Sequence, residues 1–178
     1  MKHPRMKNPK NSKLMLEGKL DPAYRCWYNM WKRVINDKQK IAYQDADICS
    51  EWEDYSKFKV WFDKNHTEGK QLDKDILGDG KLYSPETCCF VSLPINNFFA
   101  YMRRPYKPTY ANKVYVASVR NSLTGKREYL GRYKNLEDAL KAYWDRKCEL
   151  AKELSVFEQD VRVKKVLLNL NEYKSKTL

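Results

Sequence analysis

The residues whose types and spacing could do chemistry lie between His66 and Asn97. Leu72-Asp73-Lys74-Asp75-Ile76-Leu77 alternates apolar and charged side chains, which predicts a short strand bearing two carboxylates. Gly78-Asp79-Gly80 predicts a turn and Cys88–Val91 a second strand. Ser92 then caps a helix that carries the carboxamides Asn96 and Asn97. Hard oxygen donors on a strand and a helix, set close together, can hold one divalent cation.

This stretch resembles the HNH motif, the ββα-metal unit of many phage and homing endonucleases. Its second half carries the likeness: Thr87-Cys88-Cys89-Phe90-Val91-Ser92 followed by Asn96-Asn97, with Leu72-Asp73-Lys74 at the start. The resemblance implies Mg²⁺-dependent cleavage of DNA. It would place metal ligands at Asp73 and Asn96, with Asp75 as a further carboxylate, and the general base at Lys74. The family uses histidine there. A lysine amine has an ordinary pKa near ~10.4 and serves as a base only when strongly desolvated. His66, which lies outside the N-terminal arm, titrates near neutrality and is either a polar loop residue or a substitute base.

Other elements must position this stretch. Residues 1–20 form a basic arm in which Lys2, Arg5, Lys7, Lys10, Lys13 and Lys19 face Glu17 alone, and it is read as mobile. Asp21-Pro22 starts a helix whose stripe is Tyr24, Trp27, Tyr28, Trp31, Val34 and Ile35, leaving Arg25, Lys32 and Arg33 toward solvent. After a loop from Asn36 to Ser50, a second helix carries Trp52, Tyr55, Phe58, Trp61 and Phe62. The two helices are expected to pack together and on the ββα unit, giving a first domain over residues 21–102. Arg103-Arg104-Pro105-Tyr106-Lys107-Pro108 then reads as an extended basic linker, 103–109.

The next module, 110–155, reads as strand Lys113–Arg120, hairpin turn Asn121–Gly125, strand Lys126–Leu130, a third element from Gly131, and a helix capped by Asn135. That helix turns one face inward through Leu136, Ala139, Leu140, Tyr143, Leu150, Ala151 and Leu154, interrupted by Lys147, which is expected to snorkel. Residues 156–178 should supply a helix that docks back. The fold class is α+β: aromatic-rich helices, a degenerate ββα unit, then a three-stranded antiparallel sheet on one helix.

The module resembles the ethylene-response-factor (Apetala-type) DNA-binding domain through Val114-Tyr115-Val116-Ala117-Ser118-Val119-Arg120, Tyr129-Leu130-Gly131-Arg132-Tyr133, Leu136-Glu137-Asp138-Ala139 and Ala142-Tyr143. The resemblance implies that the open sheet face reads double-stranded DNA, with Arg120, Arg127, Tyr129 and Arg132 as contacts and Lys113 and Lys126 near phosphates. The charge pattern agrees independently: between Tyr110 and Lys134 the only acid is Glu128.

A net charge of +12 also favours a polyanionic partner. Cysteines at 26, 49, 88, 89 and 148 form no C-x-x-C pair, which fits reduced thiols in a cytoplasmic protein. No apolar run nears the ~20 residues of a membrane span, and no apolar stretch follows the N-terminal charges as in a secretory signal. Two readings stay open. One is a nuclease with a degenerate site. The other is an inactive relative that acts by occupying DNA, or a host protein that itself binds DNA.

Overall fold

The computed structural model describes residues 4–7, 15–16, 18–40, 43–102 and 106–177. Helices combine with a three-stranded antiparallel sheet, the expected α+β class. The chain divides into two compact units, Met1–Phe90 and Val91–Leu178.

In the first unit, β1 (Met15–Leu16) and β2 (Lys19–Leu20) pair antiparallel ahead of α1 (Pro22–Asn36). Asp21 caps α1: its Oδ1 accepts from the Ala23 N–H at 2.8 Å, and its Oδ2 accepts from the Tyr55 hydroxyl at 2.7 Å. One buried carboxylate therefore ties the start of α1 to the start of α2 (Tyr55–Asn65). Trp27, Met30 and Trp31 of α1 are buried against Trp52, Tyr55, Phe58 and Phe62. The rings meet edge to face, Trp27 on Tyr55 at 5.6 Å and Trp52 on Phe58 at 5.0 Å. Such pairs contribute about 0.5–1.5 kcal/mol each beyond their buried area.

Two members of the α1 pattern behave otherwise. Tyr28 is exposed, whereas Arg33 lies over the Tyr43 ring at 6.0 Å and hydrogen-bonds Tyr83. A guanidinium with two phenol rings beside it loses less by leaving water than one facing only apolar groups.

Two short ladders complete the unit. β3 (Asp47–Ile48) pairs in parallel with β5 (Leu82–Tyr83), and β4 (Gln71–Asp73) pairs with β6 (Cys89–Val91). The alternation after Asp73 does not extend the strand, because the Asp73 carboxylate turns back onto the following backbone. Residues 4–7 of the basic arm are held rather than loose. The Lys7 N–H donates to the Glu53 carbonyl at 2.9 Å, and Arg5 pairs with both Asp47 and Glu53.

The second unit begins with α3 (Leu93–Met102). The division falls at Phe90/Val91. Within the second unit α3 buries its rings: Phe98 lies against Lys147, and Phe99 meets Tyr173 at 5.1 Å. Residues 103–105 lie outside the described residues. The remainder of the expected linker is anchored: Tyr106 stacks on Tyr143 at 3.6 Å.

β7 (Thr109–Ala111), β8 (Val114–Arg120) and β9 (Arg127–Tyr133) form the sheet in that order. The third strand therefore precedes β8, and Gly131–Tyr133 simply continues β9. Asn112 and Lys113 join β7 to β8 with φ of 50° and 62°, as a two-residue hairpin of matching twist requires. α4 (Leu136–Phe157) covers one face, its start capped by Asn135 Oδ1 on the Asp138 N–H at 2.8 Å. α5 (Val161–Leu168) and α6 (Leu170–Thr177) pack on α4, two helices where one was expected.

Lys147 does not snorkel. It is 1 % exposed, its Nζ lies 4.1 Å from the Phe98 ring centroid, and among the described residues it has no hydrogen-bond partner. Burial lowers its pKa to about 8. Between that value and the ordinary lysine value the unfolded chain binds more protons than the folded one, so stability rises with pH across this window. Below about 8 the burial cost is fully present. Lys147→Met should therefore stabilise the protein at pH 7 by on the order of 2 kcal/mol. In urea melts at successive pH values, the gain should shrink as pH climbs past 8 toward 10; a gain independent of pH would show that no buried charge is being relieved.

Candidate nucleic-acid interface

The first group of candidates surrounds Asp73. Its Oδ1 accepts from the backbone N–H of Asp75 at 2.7 Å and of Ile76 at 2.9 Å, closing the loop after β4. Lys74 is 3 % exposed; its ammonium donates to Asp75 Oδ1 at 2.6 Å and to the Gly80 carbonyl. The Tyr43 and Tyr83 rings flank it at 5.4 and 5.7 Å. Gly80, at φ +78°, allows this approach, since a Cβ there would lie 2.6 Å from the Asp75 carboxylate. A base must offer a lone pair to water. The Lys74 nitrogen instead points its hydrogens at two protein acceptors, so the assignment of Lys74 as base does not suit its position.

Of the expected Mg²⁺ ligands, Asp73 accepts from two backbone N–H groups, Asp75 accepts from the Lys74 ammonium, and Asn96 lies on α3. Among the described residues, no group of three or more His, Cys, Asp or Glu side chains could hold a metal. His66 ends α2, its ring stacked on Phe62 at 4.2 Å and edge-on to Phe90 at 5.0 Å. Burial lowers its pKa, against the pull of Glu68 and Asp63. Its packing is that of a half-buried ring closing the aromatic cluster.

The second group assembles on one face of the sheet. Cross-strand partners share a face, and here they are Val116 with Arg132, Ser118 with Tyr129, and Arg120 with Arg127. Arg120, Arg127, Tyr129 and Arg132 are all exposed. Ala117 and Val119, on the alternate positions, are buried toward the helix side. A register shift between Ala117 and Ser118 keeps both runs in phase. Where β7 has ended, the Ser118 N–H donates to the Tyr106 hydroxyl at 2.9 Å, a contact no strand pattern would have revealed. Lys113 and Lys126 are exposed in the turns at the two ends of β8.

Glu128, the one acid of this segment, is on the opposite face. It accepts from Arg146 Nε at 2.7 Å and from Asn121 at 2.6 Å, and those donors hold its carboxyl below the usual range. The open face is left with guanidinium groups and an exposed tyrosine. Arg120 also lies over the Tyr101 ring at 5.6 Å, which limits its rotamers.

Two stability measurements follow. Lys74→Met leaves the Gly80 carbonyl without its donor and Asp75 without its cation, and should cost about 2–4 kcal/mol in urea denaturation. Lys74→His should cost a similar amount; an unchanged midpoint for both would remove the structural role. Arg127→Thr relieves a like-charge pair directly across the strands, and should raise stability by about 0.2–1 kcal/mol at low salt. No protein-family model, curated protein or solved structure matches the chain.

Proposed function

We propose that the chain binds double-stranded DNA through the open face of β7–β9 and acts by occupancy. One observation carries this reading: Arg120, Arg127 and Arg132 share an exposed face with Tyr129, while the segment's single carboxylate is drawn to α4 by Arg146. A like-charge pair at Arg120 and Arg127 is unfavourable in the free protein. A polyanion reverses the sign of that interaction. Guanidinium groups on a sheet can reach guanine edges in the major groove, while Lys113 and Lys126 meet phosphates on either side. Among the described residues no helix is long and apolar enough to cross a membrane.

Occupancy is preferred to cleavage because Asp73, Lys74 and Asp75 are spent on holding a loop together. Duplex affinity should fall with salt, at a slope of log K near about −5 if six phosphates are neutralised. After selection of a preferred site from random duplexes, Arg120→Ala and Arg132→Ala should each cost about 1–3 kcal/mol on that site and less on a scrambled one. Lys126→Ala should weaken both alike. Equal losses for all three would reduce the face to phosphate contacts. Mg²⁺-dependent nicking of supercoiled plasmid, lost in Asp73→Ala, would overturn the occupancy reading.

A further inference from the structure

β8 has different neighbours along its length. β7 pairs with residues 114–116 and stops there. Past that point, chain that precedes β7 reaches the strand. The Tyr106 hydroxyl accepts from the Ser118 N–H at 2.9 Å, and two residues on, the Arg120 guanidinium lies over the Tyr101 ring at 5.6 Å. Tyr101 is half-buried in the last turn of α3. That helix is fixed by other side chains: Phe98, Phe99 and Met102 are buried, Phe98 against Lys147 of α4 and Phe99 against Tyr173 of α6. Arg127 stands directly opposite Arg120 and repels it, whereas a ring face attracts it. The arginines held by carboxylates, Arg5, Arg146 and Arg162, spend N–H donors on them. An aromatic ring holds the cation through its π face and does not fill the guanidinium fork, so donors stay available to a ligand. Among the described residues, Arg127 and Arg132 have no ring placed in this way.

We infer that Tyr101 is a positioning residue for duplex recognition, holding Arg120 as the side chain of the open face that reads a guanine edge. The inference rests on the DNA reading proposed above and names the specificity determinant of that same face. Guanine presents N7 and O6 side by side in the major groove, and an arginine pairs with both only when its fork is aligned with them. A long side chain that must find this alignment loses rotamer freedom on binding, and one already held by a ring loses less. A phosphate contact carries no sequence information, so the advantage falls on the matched base. Tyr101 therefore acts on discrimination rather than on general affinity. It also lies outside the 110–155 module, on a helix anchored to α4 and α6, so the sheet and α4 alone would bind with less selectivity.

The test uses the full chain and fluorescence anisotropy on a duplex selected from random sequences, on the same duplex with each base pair replaced in turn, and on a scrambled duplex. Arg120→Ala should abolish the preference at one G·C pair. Tyr101→Leu keeps apolar bulk but removes the π face, and should lower the preference at that same pair about two- to fivefold. Its affinity for the scrambled duplex should change less than about twofold. Tyr101→Phe keeps the π face and should retain the preference. In the Arg120→Ala background, Tyr101→Leu should add nothing further. Equal losses on selected and scrambled duplexes would overturn the inference, as would a loss at a different base pair or losses that add in the double variant. If Arg120→Ala relaxes one base pair and Tyr101→Leu changes nothing, the DNA reading stands and the role of Tyr101 falls. If no duplex is bound, both fall.

Discussion

One helix cannot cover both sides of a sheet. From that constraint the organisation of the second unit follows. α4 takes the side bearing Ala117 and Val119, and nothing in β7–β9 buries the other. The exposed side must then be polar to stay in water, and in this chain the polar residues chosen are arginines. The Glu128–Arg146 pair sets the partition, because it fixes β9 on α4 and takes the sole carboxylate with it. Arg146 also holds Glu149 and Glu153, so the helix contributes its own acids to the same guanidinium. Negative charge is thus gathered on the covered side of the sheet and removed from the open one.

The first unit solves a different problem. It has little regular sheet and relies on aromatic rings for cohesion, and rings alone do not define direction. Polar contacts do that at a few points: Asp21 between the two helix starts, the Trp27 indole N–H on the Trp52 carbonyl at 2.7 Å, and Lys74 within its loop. Each is buried and each satisfies a backbone or side-chain group that would otherwise be left dry.

The helices α1, α2 and α4, the strands β8 and β9 and the caps Asp21 and Asn135 were legible because each has a local pattern: helical spacing, alternation, or a side chain matched to the N–H it meets. β7 was missed since Asn112-Lys113 lacks the glycine that marks such hairpins, although the backbone adopts their φ values. The β3–β5 pair joins two-residue strands far apart in sequence and leaves no periodic trace. The partners of α3 could not be read either, because an apolar helix declares that it is buried but not against what. The residues of the open sheet face were legible by type and spacing. The fate of Lys74 was not, since a lysine looks the same in sequence whether it faces water or caps the Gly80 carbonyl inside a loop.

That loop has a consequence for how the protein meets its surroundings. Loops knit by a bound cation come apart when the ion is diluted, chelated or displaced by a competitor. Here the positive charge is a side chain, joined to the loop by its own covalent stem and carried wherever the chain goes. Its local concentration does not depend on the medium, and it has no off-rate. The turn from Asp75 to Gly80 carries its own positive charge at the point where its carboxylate and carbonyl converge.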